Sequence, residues 1–86
     1  MSEQEQGAEH LDIARDATTL AYLYRKQGKY EQAEPLYQRA LAIREQQLGP
    51  EHPSTQITQG NYASLLRAMG RDAEAVALET NRMPPS

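Results

Sequence analysis

Laid on itself so that Gly7 meets Gly49, the chain keeps one register without a gap to its end. Gly7, Glu9, His10, Ala21, Leu23, Arg25, Gly28, Ala33 and Leu36 meet the same residue types at Gly49, Glu51, His52, Ala63, Leu65, Arg67, Gly70, Ala75 and Leu78. A single fixed offset means two copies of one supersecondary unit, and such units bury their apolar faces against neighbouring copies. The expected organisation is a disordered tail over 1–8, a first repeat over 9–50, and a second over 51–86 that ends in a short Pro-containing segment.

The period inside each copy is helical. In the first, Ile13, Ala17, Leu20, Ala21 and Tyr24 recur at the three- and four-residue spacing of one helical face. After Gly28 a second series runs Tyr30, Ala33, Leu36, Tyr37, Ala40 and Leu41, and Gly49-Pro50 closes it. Gly28 tolerates positive φ, which ends one helix and turns the chain back. Ala21, Ala33 and Ala40 are small enough to let two helix backbones approach. Pro35 lies past the first turn of its helix and removes the bond to the Glu31 carbonyl, so a slight bend is expected there. Asp12 and Ser54 are placed to cap first helices, and Pro53 suits a first helical position because it has no N–H to leave unpaired.

The second copy keeps Ile57, Tyr62, Ala63, Leu65, Leu66 and Met69 in its first helix, weakened by Gly60 at about 1 kcal/mol against Ala. Its last helix, about Asp72 to Met83, puts Asp72, Glu79 and Arg82 where the first copy has Tyr30, Tyr37 and Ala40. A polar outer face suits a helix on which nothing stacks. The fold class is therefore all-α, with four helices in antiparallel pairs.

The residues Ala21, Tyr24, Gly28, Tyr30, Ala33, Tyr37 and Ala40 resemble the pattern of the tetratricopeptide repeat. The phrase AEPLYQRALAIREQQLGPEHP is similar to the longer variant of kinesin light chains, with a period of about 42 residues against the usual 34. The resemblance implies a short right-handed α-solenoid and a protein-interaction scaffold without catalysis or cofactor.

Composition narrows the alternatives. The chain has 86 residues and a formal charge of -3, with nine Lys and Arg against twelve Asp and Glu, and no run of basic residues marks a nucleic-acid footprint. There is no cysteine, so neither disulfides nor thiolate chemistry arise. No apolar run approaches the roughly 20 residues of a membrane span, and the start lacks a signal-peptide pattern, so a cytoplasmic protein is expected. His10 and His52 share one place in the two copies and are read as serving the turn before each first helix, because no converging ligands or orienting partner accompany them. Glu3, Glu5 and Glu9 are read as solvated, and no phosphate loop or hydrolase motif occurs. Tyr24, Tyr30, Tyr37 and Tyr62 are expected in the core.

The opposite side of the first helix carries Arg15, Thr18, Thr19, Tyr22, Arg25 and Lys26. The resemblance places groove contacts at these positions and at their counterparts Ile57, Gly60, Asn61, Ser64, Arg67 and Ala68. Arg25 and Arg67 would then form a basic ladder for an acidic peptide, with Tyr22 and Ile57 in apolar contact and Asn61 fixing the peptide backbone. The family's carboxylate clamp is matched only at Asn61, since Thr18 and Tyr22 stand in place of the expected Lys and Asn. Two repeats are fewer than the three usually needed for independent stability. The chain is accordingly expected to belong to a longer array or to self-associate, and the alternative function is a structural unit that dimerises or extends a helical array through exposed helix faces.

Overall fold

A computed structural model describes residues 3–82, with side chains described over 10–80. Four helices follow in order: α1 (Glu3–Lys26), α2 (Tyr30–Leu48), α3 (Pro53–Ala68) and α4 (Asp72–Arg82). Each packs on its sequence neighbour, α1 on α2, α2 on α3 and α3 on α4. The described residues contain no strand. In the register that pairs Gly7 with Gly49, the end of α1 at Lys26 falls on the end of α3 at Ala68, and the start of α2 at Tyr30 on that of α4 at Asp72. The offset read from the sequence is thus the structural period.

The turns are built alike. Gly28, Gly49 and Gly70 all have positive φ (82°, 93° and 78°) and are evenly spaced along the chain, one helix and one joint apart. At the first turn Lys29 N–H donates to the Tyr24 carbonyl (2.8 Å) and Gly28 N–H to that of Arg25 (3.0 Å). At the last turn Arg71 N–H donates to the carbonyl of Leu66 (2.8 Å) and Gly70 N–H to that of Arg67 (3.0 Å). This paired bonding around a left-handed residue satisfies carbonyls that the helix end would leave open.

The start of α3 is capped, though not by Ser54. His52 is the cap, its Nδ1 accepting from the Ser54 N–H at 3.1 Å, and Pro53 follows inside the first turn. Its counterpart His10 lies within α1 and is exposed. Asp12 is also interior to α1 and caps nothing. The helix instead starts at Glu3, inside the stretch expected to be a tail, where Gln, Glu and Ala are good helix formers and Gly7 alone opposes them. Met1, Ser2 and the Pro-containing end, Met83 to Ser86, lie outside the described residues. Pro35 sits within α2 without ending it.

The core is made of small residues and tyrosine rings. Ala14, Ala17 and Ala40 form one cluster with Leu36 and Ile43 packed on it. Ala21, Ala33, Tyr37 and Leu65 form a second, flanked by Tyr24, Tyr30, Leu36, Tyr62 and Met69. Ala63, Leu66 and Ala75 form the third, between α3 and α4. The second cluster joins the repeats, because Leu65 of α3 is fully buried among residues of α1 and α2. The Tyr37 and Tyr62 rings are stacked there, 6.5 Å between centroids at 30°.

Two expectations about the core are corrected. Ile13 and Leu20 are 37% and 41% exposed, and the α1 face that meets α2 is the stripe Ala14, Ala17 and Ala21. Small side chains let the two helices close, which rotates the bulkier residues toward the flank of the pair. Ile57, counted in the apolar series of α3, is 63% exposed, while Thr55, Thr58 and Gln59 are buried instead.

Candidate interaction surface

Tyr22 projects from α1 about half-exposed, and two cations lie over its ring: the Arg25 guanidinium at 5.8 Å and the Lys26 ammonium at 5.5 Å. The spacing along one helix brings this about, since residues three and four apart share a face. The result is an aromatic surface with a positive rim. Nearby, the Tyr37 hydroxyl is buried and has no hydrogen-bond partner among the described residues. Burial raises the pKa of that hydroxyl, the charge of Arg25 opposes the rise, and Tyr22 adds to it.

Other expected site residues are placed differently. Arg15 is exposed and lies 3.9 Å from Asp12 and 3.8 Å from Asp16, so its charge is partly met on its own helix. The hydroxyls of Thr18 and Thr19 donate to the carbonyls of Ala14 (2.8 Å) and Arg15 (3.1 Å). Ser64 is exposed and Asn61 half-buried on α3. Gly60 is half-buried, and nothing lies within 4 Å of where a Cβ would stand.

Arg67 departs most from the expected ladder. Its guanidinium donates through Nη1 and Nη2 to the two carboxylate oxygens of Glu79, at 3.0 and 2.5 Å. That two-pronged pairing raises its pKa further above the ordinary arginine range. Arg25 and Arg67 occupy matching positions, but α4 neutralises the second, whereas Arg25 and Lys26 of α1 are in no ion pair among the described residues. The sequence carries a signal for this: Tyr37 is replaced by Glu79 beside an arginine that is kept.

A polar node between the repeats lies beyond the reach of sequence spacing. Tyr62 O–H donates to Glu34 Oε2 at 2.9 Å and accepts from Gln38 Nε2 at 2.8 Å, while Arg71 Nη1 donates to Glu34 Oε1 at 2.8 Å. Arg71 also donates to both oxygens of Glu74, at 2.7 and 2.6 Å. The Arg71 bond holds the Glu34 carboxyl below the usual carboxylate range in spite of burial. Burial pushes the Tyr62 hydroxyl up. Farther along the same seam Arg44 donates to Thr58 Oγ1 at 2.5 Å, and Gln59 Nε2 donates to Glu45 at 3.4 Å. The contacts across this seam join residues whose separation no local pattern encodes.

Among the described residues no group of three or more His, Asp or Glu is placed to hold a metal ion. None of the helices there is long and apolar enough to cross a membrane.

No curated protein matches the chain. The family model described as tetratricopeptide repeat matches it twice, over residues 1–46 and over residues 12–80. Repeats of that description are scaffolds that mediate contacts between proteins. The matches cover most of the 86 residues, the structure has the paired helices such a repeat requires, and the chain belongs to the tetratricopeptide repeat family.

Proposed function

We propose that the chain captures a short acidic peptide segment on the face carried by α1 and α3. The observation that carries this reading is Tyr22 with Arg25 and Lys26 over its ring, an exposed aromatic surface with two cations beside it. Neither cation is held in an ion pair among the described residues. A carboxylate can pair with either one while an apolar side chain lies on the ring, and in the register of the two copies Ile57, Asn61 and Ser64 hold the places on α3 that match Arg15, Thr19 and Tyr22. Arg67 acts as a brace between α3 and α4 in this reading, and not as a ligand. Two repeats offer room for only a few peptide residues, so single-site affinity is weak and grows when sites combine. The long period fits the kinesin-light-chain-like variant of the repeat, and the cytoplasm is the setting we assign to the chain.

The test is fluorescence anisotropy with a labelled Asp/Glu-rich heptapeptide. Binding that weakens with added salt and is lost in Arg25→Glu/Lys26→Glu is expected, with Gln47→Ala, exposed on α2 away from this face, close to wild type. Equal binding by the charge-reversed variant would overturn the reading. Catalysis forms no part of it.

A second reading is supported by a separate observation, namely that α1 exposes Ile13, Leu20 and Leu23 on one flank. On this reading the chain is a self-assembling unit.

A further inference from the structure

The register between the two copies gives each exposed apolar residue of α1 a counterpart whose surroundings are known. Ile13, Leu20 and Leu23 correspond to Thr55, Tyr62 and Leu65. Thr55 and Leu65 are fully buried, and Tyr62 is packed against the cluster of α1 and α2 residues. The α1 flank is therefore the same surface that α3 uses to sit on α2, here with no helix over it among the described residues.

At the opposite end α4 is polar at Asp72 and Glu79, which by itself suits a helix with nothing stacked on it, but it carries one exposed apolar residue at a position that α2 uses in the seam. Val76 of α4, 53% exposed, corresponds to Glu34 of α2, the residue that Tyr62 and Arg71 bond within the chain. Thus the pair Tyr62 and Glu34 inside the chain has as its outer counterpart the pair Leu20 and Val76. Both members of this pair have changed from polar to apolar, while Lys29, the counterpart of the third partner Arg71, lies over the Tyr24 ring at 5.9 Å. Had one changed alone, a carboxylate or a phenol hydroxyl would have faced an apolar side chain and lost its partner. Glu79, standing where α2 has Tyr37, is drawn to Arg67 and so does not bring an unpaired charge to this end.

We infer that copies of this chain join head to tail, the α1 flank of one seated on α4 of the next as α3 sits on α2, with Leu20 against Val76. This joint, which rests on the self-assembly reading, gives that reading its geometry and continues an interface that already exists inside the protomer. Because its two faces differ, it leaves one of each free at the ends of a linear assembly, and growth does not close at two.

Light scattering after size exclusion, across a range of concentrations, tests this with Leu20→Asp and Val76→Asp. Both positions are exposed, so circular dichroism should show wild-type helix content in each variant. The wild type is expected to rise in mass beyond a dimer as concentration increases, and each variant alone to remain a monomer. An equimolar mixture of the variants should form a one-to-one complex and stop there, because each contributes the face that the other has lost. A wild type that stops at a dimer, lost in Leu20→Asp but kept in Val76→Asp, would overturn the head-to-tail joint and leave self-assembly through α1 standing. A wild type that is monomeric throughout would overturn both.

Discussion

Two tyrosines stacked on each other face opposite hydrogen-bonding situations, and their substitutions should separate. Tyr62 bonds Glu34 and Gln38, whereas the Tyr37 hydroxyl is buried with no partner among the described residues. Removing a paired hydroxyl strands its partners, while removing an unpaired buried one relieves a desolvation cost. Tyr62→Phe should lower the urea midpoint and Tyr37→Phe should leave it unchanged or raise it. The Glu34 carboxyl gives a pH signature of defined sign. Its pKa in the folded chain lies below the 4.5 of a free glutamate, chiefly through Arg71. The stability it contributes is therefore complete above that value and is lost as pH falls through the lower folded value. Thermal melts between neutral and acid pH should show this loss, and Glu34→Gln should flatten it, with Glu74 retaining a share of the same sign. None of these partners is legible in the sequence, because Glu34 and Tyr62 lie in different repeats and meet only through the packing of one on the other. Tyr22, Arg25 and Lys26 are legible, since they meet along a single helix.

The helices and their joints can be read closely because their signals are local. Apolar spacing sets the period, and the glycines mark the turns. Spacing alone misplaces the buried flank of α1, since Ala14, Ala17 and Ala21 carry less apolar area than Ile13 and Leu20, yet small size decides how closely two helices approach. It also puts the cap of α3 at Ser54, past its true place, because an imidazole nitrogen is a less familiar acceptor than a hydroxyl. Glycine substitutions test the elements directly. Gly28→Ala meets no atom within 4 Å but must hold φ at 82°, so it should cost roughly 1–2 kcal/mol from backbone strain alone. Gly60→Ala lies inside α3, also meets nothing, and should stabilise by about 1 kcal/mol. Chemical denaturation of both variants checks the opposite signs.

At the scale of the molecule, the repeats are held together through one seam, and Leu65 is its buried apolar centre. Leu65→Ala should cost about 2–5 kcal/mol by opening a cavity between α2 and α3. Because helices pack chiefly on their sequence neighbours, amide hydrogen exchange in that variant should speed most across α2 and α3. The even spacing of the left-handed glycines has a consequence for how such a chain tolerates change. Each residue of a helix advances its direction by about 100°. One residue inserted within α2 would therefore swing everything after it by that angle and carry Tyr62 away from Glu34. A whole repeat added at either end would leave every existing neighbour in place. Such a chain thus grows without disturbance in steps of one repeat, whereas a single residue added inside a helix puts everything after it out of phase.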